Sequence, residues 1–83
     1  MFSQRFNRPT ILTHHAQKRM DERGINATLL LDVIDTGDTR YKDASHLWAF
    51  KAYPARPDNL LCAVLVLEEN VMVKTVMHHF ELI

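Results

Sequence analysis

Glycine, proline, cysteine and net charge are all scarce here: the 83 residues include two glycines, three prolines and one cysteine, and the formal net charge is zero. Each shortage removes a class of protein. Two glycines cannot build the glycine-rich loop that cradles phosphate on successive backbone N–H groups. The single Cys62 rules out an intrachain disulfide and any cysteine ligand pair, and fits a reducing compartment, so a cytoplasmic protein is expected. The longest apolar run, Leu60 to Leu67, has eight residues, far short of the roughly 20 needed to span a membrane. The opening Met-Phe-Ser-Gln-Arg-Phe-Asn-Arg carries no apolar secretory segment, and no membrane partner is expected. Ten basic residues against ten acidic exclude a uniformly basic coat for nucleic acid. That zero is a sum of two halves. Residues 1–25 hold five basic and two acidic residues, a net of +3, and the other 58 hold five basic and eight acidic, a net of −3.

What is present is apolar patterning. At 47% hydrophobic and 24% charged residues, the chain has enough buriable surface to fold. Its length implies one domain over residues 1–83, exposing roughly 5,000 Å² when folded. One modest core leaves no room for a deep cofactor cavity, and no cofactor is expected.

Thr13 is placed to cap a helix over His14 to Arg23, with Ala16 and Met20 as its buried stripe and Gly24 as its stop. Asn26 is placed to cap a second, through Leu29, Leu30, Val33 and Ile34, closed by Gly37. Beyond it the period changes to that of strands: Thr39 to Lys42, His46 to Tyr53, Leu60 to Leu67 and Val71 to Phe80. Pro54 to Asn59 and Glu68 to Asn70 read as turns. Such short connections predict an antiparallel meander. The expected fold class is α+β, two N-terminal helices packed on one face of a three- to four-stranded antiparallel sheet. Phe2 to Leu12 is an extra edge strand or a loose arm, with Pro9 arguing for the arm. Leu60 to Leu67 is apolar on both faces, which predicts a central strand covered twice or a surface for a homodimer or other partner.

Five histidines are many for this length, and four form the pairs His14-His15 and His78-His79. His15, Arg19 and Arg23 recur at i, i+4 and i+8 and share one helix face. As a functional stripe they would hold a phosphate, with arginine as bidentate donor and histidine as proton carrier. As a solvated face they would pair with Asp21 and Glu22, the commoner fate of charged stripes. On a strand His78 and His79 point to opposite faces, so only one of them can serve a given site. A zinc site from His14, His46 and a C-terminal histidine lacks any helical His-x-x-x-His pair, and no metal is expected. Cys62 lies in an apolar strand and reads as core. Tyr41, Lys42, Trp48, Lys51 and Tyr53 interleave aromatic and basic side chains, a composition suited to stacking RNA bases, although Trp48 and Phe50 read first as core.

The stretch His15-Ala16, Arg19-Met20 and Arg23-Gly24-Ile25 resembles the His-Ala-x-x-Arg-Met-x-x-Arg-Gly-Ile hallmark of a bacterial domain-of-unknown-function family. Leu29 to Gly37 resembles its second helix and Val71 to Met77 its last strand. That family is similar to toxins of the RelE type, within the grouping of barnase, EndoU, colicin and RelE ribonucleases. The resemblance implies two helices on a four-stranded antiparallel sheet and metal-independent RNA cleavage on the open sheet face, with the 2′-hydroxyl as nucleophile. RelE-type toxins are strongly basic, and this chain departs from them in being neutral. Under this reading His15, His78 or His79 is the general acid or base, Arg19 and Arg23 stabilise the phosphorane, and the partners are RNA and an antitoxin-like protein. The alternative is a non-catalytic module of the same fold, acting through a homodimer or partner interface.

Overall fold

The computed structural model describes residues 1–82. Helix α1 (His14–Arg23) begins where Thr13 accepts the Ala16 N–H at 3.1 Å and ends at Gly24, whose φ of 63° lets its N–H return to the Met20 carbonyl. Helix α2 (Ala27–Thr36) begins where Asn26 accepts the Leu29 N–H at 2.8 Å. Gly37 closes α2 at φ −72°, an ordinary backbone angle. Glycine is required there by space: a Cβ would lie 2.5 Å from the Val33 carbonyl oxygen and 2.7 Å from that of Phe50. The position marks where α2 and the sheet touch backbone to backbone.

Six strands form one sheet: β1 (Phe2–Ser3), β2 (Arg8–Leu12), β3 (Asp38–Tyr41), β4 (His46–Lys51), β5 (Leu61–Leu67) and β6 (Val71–Met77), in the order β1-β2-β6-β5-β4-β3. Strands β3 to β6 make the expected antiparallel meander. The expected three- to four-stranded antiparallel sheet is nonetheless wrong. Strand β2 lies parallel to β6, with Thr10 opposite Val71 and Leu12 opposite Val73, and β1 pairs antiparallel on its outer side. The sheet is therefore six-stranded and mixed, and strands precede the helices as well as follow them. Pro9 does not stop this, because the ladder to β6 starts one residue later, at Thr10, and loses no N–H to the proline ring. The strand limits shift too: β4 ends at Lys51 and β6 at Met77, short of Tyr53 and Phe80.

Both helices cover one face, α1 over β6 and β2, α2 over β4, β5 and β1. Facing them are rows of opposed residues: Leu47, Leu65 and Val73, then Ala49, Ala63 and Val76, all at 2% exposure or less. Val73 and Val76 share this face although three residues apart, because a β-bulge between Val64 and Leu65 leaves Lys74 unmatched in β6. Thr13 holds the bulge: its N–H donates to the Val73 carbonyl at 3.1 Å and its hydroxyl to that of Lys74 at 2.9 Å. The N-terminal segment is fastened at α2, where Arg5 donates to the Ile34 and Gly37 carbonyls at 3.1 and 2.8 Å and Ser3 to Asp35 at 2.6 Å.

The other face carries Ile11, Met72, Val66 and His46 in one row, Thr75, Val64, Trp48 and Arg40 in the next, and Met77, Cys62, Phe50 and Asp38 in the third. The chain itself covers part of this face: the Phe80 ring centroid lies 5.5 Å from that of Trp48 and 5.9 Å from that of Phe50, while Asp38 of the third row stays exposed. Part of the second apolar face of β5 is thus closed from within, while Trp48 stays 38% exposed. Among the described residues no helix is long and apolar enough to cross a membrane. Gly37→Ala should lower stability by about 1–3 kcal/mol, as overpacking does, seen as a lower urea midpoint at unchanged slope. An unchanged midpoint would mean that the α2–sheet contact yields freely.

Candidate active site

The cationic stripe of α1 does not converge. His15 is exposed, and Arg19 pairs with Glu22 at 2.8 Å on the solvent side. Eight residues of helix, about 12 Å, separate His15 from Arg23, which alone turns inward and donates to the Val76 carbonyl of β6. The i, i+4, i+8 spacing puts the three on one face, but their partners differ.

Arg23 stands at the end of α1, where the last carbonyls lack helical partners. Arg56 supplies them, donating to the Arg23 carbonyl at 2.9 Å and the Gly24 carbonyl at 3.2 Å. The same guanidinium grips Asp58 with two bonds, Nε to Oδ1 and Nη2 to Oδ2, both 2.9 Å. Such forked pairing is the strong form of the ion pair. Asp58 in turn meets His78 Nδ1 at 3.1 Å, and its backbone carbonyl accepts the His79 N–H at 2.7 Å. The loop after β4, the end of α1 and the end of β6 are thereby joined through one carboxylate.

Its chemistry follows from its neighbours. The Arg56 guanidinium, and after it the His78 ring, hold the Asp58 carboxyl well below the usual carboxylate range against the opposing effect of burial. An ionised carboxylate only accepts hydrogen bonds, so His78 presents its Nδ1–H to Asp58, and in the neutral ring the acceptor is Nε2. The His78 side chain is 33% exposed. His79, expected on the opposite face, lies beside it. The strand has ended at Met77, and with φ at 52° His79 turns back, its ring centroid 4.7 Å from that of His78.

Of the five residues expected to serve a site, Arg23, His78 and His79 are therefore brought to one end of α1, and His15 and Arg19 are not. Arg56 and Asp58 were missed. They sit in a stretch read only as a turn, and the one available signal is a cation and an anion two residues apart, either side of Pro57. His14, His46 and the C-terminal pair do not assemble, and among the described residues no three His, Cys, Asp or Glu side chains are grouped to hold a metal. Cys62 is fully buried, and burial pushes its thiol up to about 12, which removes it as a nucleophile.

A profile of DUF4258, a domain of unknown function, matches residues 12–78. The chain belongs to DUF4258. No curated protein and no solved structure matches it. The DUF4258 stretch runs from the end of β2 to His78, so it contains Arg23, Arg56, Asp58 and His78, and stops one residue short of His79.

Because the Asp58 pKa is depressed in the folded state, its contribution to stability is complete above the unfolded carboxyl value, about 3.9, and is lost as pH falls from there toward the folded value. Urea midpoints of Asp58→Asn should accordingly fall less steeply between about pH 4 and pH 2 than those of the wild type; parallel curves would show that Arg56 does not hold the charge. A disulfide reagent should leave Cys62 unmodified in native buffer and modify it at once in denaturant, whereas fast native modification would contradict its burial.

Proposed function

We propose that this DUF4258 domain is a metal-independent endoribonuclease with His78 as its general base, in keeping with the resemblance to toxins of the RelE type. The observation that carries the reading is the Asp58–His78 pair: a carboxylate engages one ring nitrogen at 3.1 Å and leaves the other as the acceptor of the neutral ring, near the end of β6 where Arg23 bonds the Val76 carbonyl. The hydrogen-bonded pairing of a positioned base with an orienting carboxylate is a recurring device of proton-transfer catalysis. Ser3 is bonded to Asp35, Ser45 to Asp43, and Cys62 is buried, and RNA supplies its own nucleophile in the 2′-hydroxyl.

His78 Nε2 takes the proton of the 2′-hydroxyl, and that oxygen attacks the adjoining phosphorus. The phosphorus–O5′ bond breaks, leaving a 2′,3′-cyclic phosphate on one fragment. His79, in its protonated form, gives its proton to the departing O5′, and the other fragment gains a 5′-hydroxyl. Arg23 spends one donor on the Val76 carbonyl and has others for the phosphorane oxygens. Arg56 is a positioning residue, its donors already committed to Asp58 and the end of α1. His15 and Arg19 have no part in the chemistry.

The test is incubation of purified protein with a single-stranded RNA in excess chelator. Cleavage to cyclic-phosphate and 5′-hydroxyl ends is expected, with His78→Ala slower by about 10²–10⁴-fold and His15→Ala unaffected. The His78→Ala circular dichroism spectrum should match that of the wild type. Absence of cleavage, or equal rates in His78→Ala and wild type, sinks the proposal and returns the domain to a non-catalytic interaction module.

A further inference from the structure

The aromatic and basic residues that the sequence interleaves are divided by the fold into two sets. Lys51 and Tyr53 belong to α2: Lys51 pairs with Asp32 at 2.9 Å and with the Thr36 hydroxyl at 2.6 Å, and Tyr53 donates to the same Asp32 carboxylate. That carboxylate is held low by Lys51 and then Tyr53, and the phenol is pushed up by burial and then by Asp32. This set is internally satisfied. The other set lines an open groove of about 350 Å³ where Trp48 and Val64 pair across β4 and β5, with Arg40, Lys42 and His46 on the same sheet face and Tyr41, across from Leu47, in the neighbouring row of the opposite face.

From this groove we infer a binding site for single-stranded RNA, in which a base stacks on Trp48 and the neighbouring phosphates are held by Arg40 and Lys42. The register places Arg40 directly across from Trp48, so a cation stands beside the indole by construction. Trp48 is 38% exposed, an unusual position for a large aromatic ring unless something flat covers it. Arg40 and Lys42 enter none of the ion pairs among the described residues. In the hairpin turn, Asp43 is engaged by the backbone of Ser45 and by His46, at 2.9 Å each. An apolar floor with cations at its rim fits a ligand that is aromatic and anionic at once, which is the chemistry of a nucleotide.

A strand fits better than a free mononucleotide. Beyond Trp48 the groove meets a second recess of about 390 Å³, lined by Arg40, Trp48, Phe80, Glu81 and Leu82. Arg40 and Trp48 border both recesses, and Phe80 offers a second ring next to the first, its edge-on packing at 5.5 Å steadying the indole. Two adjoining platforms in an open channel suit successive bases. Phe80 is also two residues from His78, so the channel leads toward the end of β6. The inference rests on the ribonuclease reading for its choice of RNA, and the two can fail separately.

Trp48 is the only tryptophan, so its fluorescence reports the groove alone. The full chain is titrated with a 2′-O-methyl RNA oligonucleotide, which lacks the attacking hydroxyl and stays intact, and binding is followed by Trp48 emission and by anisotropy of a labelled oligonucleotide. Saturable quenching is expected, unchanged in His15→Ala. Trp48→Ala should weaken binding by roughly 5- to 150-fold, the worth of one stacked base. The double variant Arg40→Ala/Lys42→Ala changes two exposed side chains and leaves the core intact. It should bind more weakly and lower the salt slope by about 1–2. Absence of quenching, or an Arg40→Ala/Lys42→Ala variant that binds like wild type, overturns the inference, as does equally tight binding of AMP, which would make the ligand a mononucleotide. Binding through the groove without cleavage of unmodified RNA sustains it and removes the ribonuclease; cleavage indifferent to both groove variants does the reverse.

Discussion

Everything on the helix side of the sheet depends on how Thr13 meets β6. One residue ends β2, caps α1 and holds the bulge at Lys74 by donating from both its N–H and its hydroxyl. The bulge changes the phase of β6, and without that change Val73 and Val76 would lie on opposite faces. With it, both valines face α1, and the strand reaches Met77 in the orientation that delivers His78 to Asp58. Helix, strand and site share one junction, in which three backbone carbonyls or N–H groups are satisfied by a single threonine.

The second organising element is a loop fastened by its own side chains. The stretch from Pro54 to Asn59 has no regular structure, yet Arg56 caps α1 and clasps Asp58, while Asn59 donates to the Tyr53 and Arg56 carbonyls and accepts the Tyr53 N–H. Polar groups shielded from water need partners, and this half-exposed loop finds them in its own side chains. Its rigidity makes Asp58 a fixed orienter for His78, because a carboxylate clasped by a fork cannot swing away from the ring.

What the sequence discloses follows the range of the interaction. Both helix boundaries are legible because the caps are local: Thr13 and Asn26 lie within three residues of the N–H groups they serve, and Gly24 within four of its acceptor. The meander of β3 to β6 is legible from short turns. The parallel pairing of β2 is not, since its partner is some 60 residues away and Pro9 masks the strand. The bulge is equally hidden, because an added residue leaves alternation looking continuous. At the site, histidine pairs and arginine spacing pointed to Arg23, His78 and His79, but spacing on a helix reports a shared face and is silent about what lies opposite. Arg19 found Glu22, Arg23 found β6, and Asp58 entered only through the fold.

The union of β2 with β6 has a kinetic side. Residues 10 and 71 must meet before the sheet is complete, so the central seam closes a loop that takes in most of the chain. Loop-closure entropy and a high mean separation of paired residues slow such folds relative to helical proteins of the same size. Until β2 arrives, β6 offers an uncovered apolar edge next to the finished hairpin of β5. During folding, the strand that is hardest to see in the sequence is the one that protects the rest from its neighbours in solution.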